Sequence, residues 1–415
     1  MPSVAMTLLA VQQARRSFVA GVLARILGLA IAALPGVGYA LDFISGGSFE
    51  LGCELDTDND RLRDCYETGD NRFVSPMRTG TSRTLPDTDS DGLRDGDEVL
   101  GTTGLLDLPA LGANPLRKTV LVEYDWMDDA RGCSSHSHRP TQAIADRTAA
   151  AFLAMPVNNP DGSTRIDLIQ DFGQGGMFTG GNLIADADGD IAGGVSGSEF
   201  GGYKNAHFAN ARFRYFHYTI LPHSYAATNS SGQAEMPGDD LIVSLACSRS
   251  TSNVANTILH EIGHNFGLHH GGNTACNYKP NYNSVMNYRY QFPGIDTNCT
   301  VPGDGLPAYS LGSRPELDEN ALNELAGICG LAAGISVDWN SNQLIEPLVS
   351  FDINSSDTAQ SSNCGGTRTL LRDFNDHAAL NLAHIRSTPD FASDVIDCSN
   401  LPPDWIETPG AGSEH

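Results

Sequence analysis

The sequence predicts an α+β fold in which several short strands accompany one long histidine-bearing helix. A small acidic region precedes this unit, and a C-terminal subdomain follows it. Three observations indicate this class. Short β-rich runs alternate with helical patterns from Lys118 onward, apolar residues recur every four positions just before a histidine cluster, and Asp-rich loops of similar sequence stand ahead of both.

The elements follow in order along the chain. Four short runs rich in β-branched, aromatic or apolar residues predict strands at 119–124, 165–169, 212–221 and 241–245. An alanine-rich segment, Thr141–Leu153, predicts a helix, and the glycine-rich stretch 173–202 predicts loops. Beyond residue 300, Glu316–Ile328 and Arg372–Ile385 have helical patterns.

The longest predicted helix begins near Ser250, Thr251 and Ser252, which are good N-cap residues. An apolar stripe follows at i+4 spacing, and its ordinary role is to pack the helix on a core: Val254, Ile258, Ile262 and Phe266. Such packing would hold the polar side chains of the same helix rigidly.

Those polar side chains form the pattern H-E-x-x-H-x-x-G-x-x-H. His260 and His264 lie one turn apart on one helix face and can bind one cation. Glu261 can act as general base on a water beside that cation. Gly267 permits the chain to leave the helix with positive φ and to present His270 as a third ligand. Three ligands leave a zinc position open, as in catalytic sites.

The alternative to a zinc site is a histidine-rich helix end without metal. Composition alone produces the full pattern in roughly one chain in thirty thousand of this length, which disfavours that alternative. The register from His260 selects His270 as the third ligand, and His269 is expected beside the site or facing solvent.

The segment Ser284-Val285-Met286-Asn287-Tyr288 follows the histidines. Taken alone, its Met and Tyr are ordinary core residues. Together with the histidine pattern, the segment resembles the Met-turn of the metzincin zinc metalloproteases. The resemblance implies that Met286 forms an apolar floor beneath the ligands and that Tyr288, as in astacin-like enzymes, stabilises an oxyanion. A cysteine-containing loop before the turn is similar instead to pappalysin-like enzymes.

This resemblance covers about residues 118–290, and only the zinc helix and the Met-turn are specific. It implies a metzincin-like catalytic domain with a twisted mixed sheet and a C-terminal subdomain after the third histidine. It also implies a zinc endopeptidase whose edge strand before the helix binds a protein or peptide substrate in extended conformation. Residues 232–240 occupy the corresponding place.

Two acidic loops precede the catalytic region. The second satisfies the twelve-residue calcium pattern at Asp87, Asp89, Asp91, Gly92, Leu93, Asp95 and Glu98. The first, thirty-one residues earlier, has matching residues at Asp56, Asp58, Asp60, Asp64 and Glu67, but Arg61 replaces the glycine. Both loops are similar to thrombospondin type 3 calcium repeats found beside secreted bacterial enzymes. The alternative is a solvated acidic linker. Two further acidic segments, 186–190 and 338–342, could also bind calcium, but turns rich in Asp, Asn and Gly have the same composition and are commoner.

The first forty residues have the features of a secretory signal peptide. Arg15 and Arg16 precede an apolar run, and Gly38-Tyr39-Ala40 resembles a cleavage site. A membrane anchor is the alternative, and the paired arginines give a weak twin-arginine indication. The predicted organisation is a signal peptide (1–40), a calcium-repeat region (41–115), a catalytic domain (116–400, divided near residue 270) and a flexible tail (401–415).

Composition agrees with an extracellular enzyme. The net charge of −25 argues against a nucleic-acid partner, and nothing beyond the signal peptide is long and apolar enough to span a membrane. Nine cysteines indicate an oxidising compartment and most simply form four disulfides with one thiol left over. We favour Cys53–Cys65 and Cys276–Cys299, and we expect Cys133 in a disulfide rather than as a latency ligand.

The predicted function is a secreted zinc-dependent endopeptidase with structural calcium. Two other classes compete with it. A calcium-dependent extracellular binding protein could retain a vestigial zinc site, although it would have no need of Glu261 as a base. A zinc hydrolase could also act on a bond other than a peptide.

Overall fold

The computed structural model describes residues 53–129, 131–354 and 364–383. The predicted signal peptide, the ninth cysteine (Cys398) and the C-terminal tail lie outside the described residues. Within these ranges, no helix has the length and apolar character needed to cross a membrane.

The main sheet is mixed, as predicted, and has seven strands. The order along its path is β2 (His136–Ser137), β1 (Thr119–Asp129), β6 (Phe216–Leu221), β9 (Asp240–Val243) and β8 (Gly232–Ala234). β3 (Asp167–Asp171) and β4 (Leu183–Ile184) also pair with β1. The pairs β1–β3, β1–β4, β1–β6 and β6–β9 are parallel, whereas β8 runs antiparallel to β9 and β2 runs antiparallel to β1.

Helices cover both faces of this sheet. The first face packs against α3 (Gln142–Leu153) and α5 (Thr251–Asn265), and Val122 and Tyr124 of β1 lie in that core. The second packs against α2 (Leu108–Leu111) and α4 (Ser198–His207), with Leu121 of β1. The alternation along β1 follows from the two-residue period of a strand. Leu93 of the second acidic loop is buried in the second core, just ahead of α1 (Asp95–Leu100).

The remaining strands are two-residue pairs, β5 (Asp190–Ile191) with β7 (Ser224–Tyr225) and β10 (Leu317–Asp318) with β11 (Leu370–Leu371). A third, smaller core lies beyond residue 300 and includes Leu322 and Trp339.

The helix predicted at Glu316–Ile328 is wrong, because this segment consists of turns and β10. The glutamate side chains of this segment accept hydrogen bonds from backbone N–H groups of distant loops, and these contacts replace a local helix. Glu319 accepts hydrogen bonds from the N–H groups of Ile353 and Thr369, and Glu324 accepts those of Trp339 and Glu346. Nor do the described residues of the predicted helix 372–385 form an α-helix. The glycine-rich stretch 173–202 also differs from the prediction, since β4, β5 and the start of α4 lie within it.

The eight cysteines within the described residues form four disulfides. Cys53–Cys65 pairs as predicted, and Cys133 is bonded to Cys247. The predicted pair Cys276–Cys299 is wrong, because Cys276 pairs with Cys364 and Cys299 with Cys329. Both pairs join segments that only the tertiary fold of the C-terminal part brings together, so spacing along the chain could not identify them.

Candidate metal centre

Helix α5 begins and ends where its local sequence dictates. The Ser250 hydroxyl accepts a hydrogen bond from the N–H of Asn253 at 3.4 Å, which caps the N-terminus. At the other end Gly267 has a φ of 91°, a conformation that costs glycine nothing. The apolar stripe of the helix is buried in the first core. The helix is therefore fixed at both ends and along one face.

His260, His264 and His270 converge at the end of this helix, and all three are buried. The Nδ1 atoms of His260 and His264 donate to the carbonyl oxygens of Val285 and Leu268, each at 2.7 Å. In the neutral rings both Nε2 atoms then carry lone pairs, and they face each other at 3.2 Å. The Nε2 of His270 is buried and has no hydrogen-bond partner among the described residues.

Burial disfavours the protonated form of two of these rings, His260 and His270. Burial lowers the pKa of His260 well below its usual range, and the neighbouring His264 lowers it further. The pKa of His270 is lowered in the same way, first by burial and then by the other histidines. Ligand nitrogens of the three imidazoles lie within 4.8 Å of one another, so that neutral rings can bind one cation between them. The residues therefore fit zinc, which binds imidazole nitrogen in this form.

His269 is half-buried and is not part of this cluster, as the helical register predicts. Its N–H and carbonyl pair with Gly272 in an isolated bridge.

The Glu261 side chain extends from helix α5 to strand β8. It is only 2% exposed. A Cβ built at Gly232, the first residue of β8, would fall inside van der Waals contact of the Glu261 carboxylate. A larger residue here would displace the carboxylate from this position, a role for Gly232 that the sequence alone did not reveal. Strand β8 stands at one end of the sheet order and is shorter than the predicted edge segment 232–240, ending before the cis Met236–Pro237 peptide.

Met286 and Tyr288 both lie against the histidines. Met286 is fully buried, and a Cβ built at Gly263, between the two helical ligands, would collide with its sulfur. Methionine thus packs directly beneath the helix. The Tyr288 ring is 4.2 Å from the ring of His270 and 5.9 Å from that of His260, measured between centroids. Its backbone N–H donates to the Asn277 side chain at 3.1 Å.

Asp376, in the distant C-terminal segment, anchors the segment that contains Met286, a contact that sequence reasoning missed. Its carboxylate accepts hydrogen bonds from the hydroxyls of Tyr282 (2.8 Å) and Ser284 (2.6 Å) and from the N–H of Ser310 (2.8 Å). Burial raises the pKa of Asp376 to about 7, although these donors act to lower it.

The two acidic loops have the same hydrogen bonds at the same offset. The N–H of Leu62 donates to Asp60 Oδ1 and that of Leu93 to Asp91 Oδ1, each at 2.7 Å. Arg61 and Gly92 each donate their N–H to the first aspartate of their loop, Asp56 or Asp87. Arg61 adopts a φ of 87° where Gly92 has 95°, so the missing glycine does not change the loop.

Several carboxylates of these loops are buried beside one another. Asp56, Asp58 and Asp60 form one group, Asp87, Asp89 and Asp91 a second, and Asp60, Glu67 and Asp95 a third that joins the loops. Asp64, the counterpart of Asp95, accepts a hydrogen bond from Thr57 at 2.9 Å and is partly exposed. Leu93, the apolar residue within the second loop's calcium pattern, is buried, with 2% of its surface exposed.

Burial and mutual repulsion raise the pKa values of the buried carboxyl groups of these loops, of which Asp89, Glu67 and Glu98 are examples. The pKa of Asp89 is raised to about 9, first by burial and then by Asp91. That of Glu67 is raised to about 8, first by burial and then by Asp60. Both oxygens of Glu98 are buried without a hydrogen-bond partner among the described residues, and its pKa is raised well above the usual range. Such a cluster requires protons or a cation to balance its charge.

Comparisons with known proteins leave the family open. No family model and no curated protein matches the chain. Among solved structures, archaemetzincin from Methanopyrus kandleri matches with 16% identity over 41% of this chain and 81% of its own, at a TM-score of 0.21. A likeness at this TM-score carries no argument about activity, so the chemistry has to be inferred from the site itself.

Proposed function

We propose that the protein is a secreted zinc-dependent endopeptidase. The observation that carries this proposal is the pair of Nε2 atoms on His260 and His264. They face each other at 3.2 Å while both Nδ1 atoms donate to backbone carbonyls. His270 supplies a third buried nitrogen, and Glu261 follows the first ligand directly. This combination suits metal-assisted hydrolysis better than a structural zinc site, which has four protein ligands.

When bound by the three histidines, zinc supplies Lewis acidity toward a water molecule and the scissile carbonyl. The remaining steps belong to the protein. Glu261 accepts a proton from the attacking water and delivers it to the departing amine. The Tyr288 hydroxyl, on a ring beside His270, would donate a hydrogen bond to the developing oxyanion. Met286 and Gly263 fix the floor on which these groups are held.

An extended peptide is the substrate that best suits this arrangement. Strand β8 ends the sheet order and begins at Gly232, beside the Glu261 carboxylate. A peptide aligned with this strand would pass the general base directly. Four disulfides support a location outside the cytosol.

Calcium is proposed as a structural ion of the acidic loops. The supporting observations are the orphaned oxygens of Glu98 and the repeated loop geometry. The second loop contacts the catalytic sheet directly, because Asp91 Oδ2 accepts the N–H of Thr119, the first residue of β1, at 2.6 Å. Calcium there would stabilise the start of the sheet rather than take part in hydrolysis.

Digestion of casein or gelatin by purified protein tests the proposed function. Cleavage should stop on chelation, return with added zinc, and be absent in Glu261→Ala, which should keep its zinc. Equal cleavage by the variant and the parent would refute the mechanism. A zinc-loaded parent that cleaves no peptide would favour a hydrolase of another bond or a binding protein.

A further inference from the structure

A second group of metal-binding side chains lies at the carboxyl end of the parallel strands. Asp129 is the last residue of β1, His136 and His138 lie on or just after β2, and His223 follows β6 by two residues. Strands β1 and β6 are parallel neighbours, so their carboxyl ends bring these residues together. Ligands commonly bind at such an edge of an α/β sheet.

The four side chains offer one ligand atom each, and these atoms all lie within 4.8 Å of one another. His138 Nε2 is 2.7 Å from one oxygen of Asp129, and His223 Nδ1 is 3.1 Å from the other. The side chains of Asp129, His138 and His223 are between 6% and 11% exposed. The ring of His136 is 4.5 Å from that of His138 and 6.2 Å from that of His223. Three imidazoles therefore surround one carboxylate in a region that is largely buried from solvent.

Contacts outside the cluster orient these side chains. The N–H of Arg131 donates to Asp129 Oδ1 at 2.8 Å. His136 Nδ1 lies 3.0 Å from the Ser134 carbonyl, so that a proton on Nδ1 leaves Nε2 as the ligand atom. Gly189 packs so closely that a Cβ there would lie 3.3 Å from the Cβ atoms of both Asp129 and His223.

The hydrogen bonds of these four residues leave ring nitrogens of His223 and His136 without a suitable partner. The buried Nδ1 of His223, although close to Asp129, makes no hydrogen bond of acceptable geometry. His136 Nε2 faces the Ala246 carbonyl at 3.3 Å while its Nδ1 faces the carbonyl of Ser134, and a neutral ring can donate to only one of them. A cation would use the nitrogen lone pairs that remain.

We propose that Asp129, His136, His138 and His223 form a second, structural metal site, separate from the three-histidine centre. Three imidazole nitrogens and one carboxylate oxygen make a ligand set suited to zinc, and four protein ligands close the coordination sphere. The site takes no part in hydrolysis.

The segment that this site anchors leads to the general base. His223 precedes β7, where the Tyr225 hydroxyl donates to the Gly232 carbonyl at 2.8 Å, and Gly232 lies against Glu261. The Cys133–Cys247 disulfide secures the same corner, with Cys133 Sγ 3.5 Å from His136 Nδ1. A metal bound here would hold the loop between β6 and β8 and thereby the strand beside the catalytic carboxylate.

Zinc content per chain tests this proposal after exhaustive dialysis in calcium-containing buffer. The parent should retain two zinc ions, and His138→Ala/His223→Ala should retain one. The double variant His260→Ala/His264→Ala should also retain one, which makes the result independent of the proposed function. His207→Ala, outside both clusters, should retain two. Retention of no zinc by His260→Ala/His264→Ala would overturn the proposal, as would unchanged zinc content in His138→Ala/His223→Ala.

Thermal unfolding gives a second, independent measurement, because it detects zinc binding as a rise in Tm. In the His260→Ala/His264→Ala background, Zn²⁺ alone should raise the Tm by several degrees. Adding Asp129→Asn, a nearly isosteric change, should abolish most of that rise. An equal rise with and without Asp129→Asn would contradict the assignment.

Discussion

The Nδ1–H of His260 donates to the carbonyl oxygen of Val285 at 2.7 Å, and Val285 immediately precedes Met286. The first ligand of the candidate centre is thus oriented by the turn that also supplies its apolar floor. The partner of His264, the Leu268 carbonyl, comes instead from the turn after the helix. Two segments outside the helix therefore set the direction of its two imidazoles, as hydrogen bonds to the ligand rings do in zinc sites.

The adjacent histidines 269 and 270 should behave differently when substituted. Only His270 is buried with the other two ligands. We expect His270→Ala to weaken zinc binding by more than about 100-fold and His269→Ala to change it little. Competition with a zinc chelator measures both affinities. Loss of zinc from His269→Ala with retention in His270→Ala would show that the third ligand is misassigned.

Gly232→Ala should impair catalysis without removing zinc. The new Cβ would overlap the Glu261 carboxylate, which must then move from its position. We expect kcat to fall at least about tenfold, since small displacements of catalytic groups have effects of this size or larger. Gly201→Ala is the matched control, because a Cβ there meets nothing within 4 Å. Full activity in Gly232→Ala would show that the close contact between Gly232 and the Glu261 carboxylate is not needed for catalysis.

Asp376 should make stability depend on pH. Burial raises its pKa to about 7 from an ordinary 3.8, so the folded protein holds this proton more tightly than the unfolded chain. The stabilisation from protonation is therefore complete below about pH 4 and is lost as the pH rises to about 7. Asp376→Asn, which mimics the protonated form, should gain stability relative to the parent over this window, by at most about 4 kcal/mol.

Denaturant unfolding of the parent and Asp376→Asn at pH 4.5 and 7.5 measures this difference. Asp146→Asn, at an exposed position of α3, is the control and should show no such change. A constant difference between the parent and Asp376→Asn across the window would contradict the raised pKa.

Local signals predicted the histidine-bearing helix α5 and missed its surroundings. Ser250, the apolar stripe and Gly267 act through neighbours in the chain, so the helix and its ends could be predicted from sequence. The contacts of Val285 with His260 and of Gly232 with Glu261 join residues far apart in sequence, and no local pattern encodes them. The same reason explains the wrong disulfide, since the partner of Cys276 lies 88 residues away.

Calcium removal should lower thermal stability before it affects chemistry. The buried acids of the two loops repel one another without a cation, and Asp91 ties the second loop to β1. We expect chelation of calcium alone to lower the Tm by several degrees. Glu98→Gln should reduce this calcium response, whereas Glu316→Gln, on an exposed side chain, should not. A Tm that does not respond to calcium would exclude a structural ion.

Zinc titration of chelator-treated protein tests the three-histidine centre most directly. Calorimetry on the parent and on His264→Ala should show that the variant has lost one tight zinc equivalent. The two Nε2 atoms 3.2 Å apart predict this loss, because each contributes a ligand to the same ion. An equal number of tight zinc sites in the parent and in His264→Ala would contradict the account.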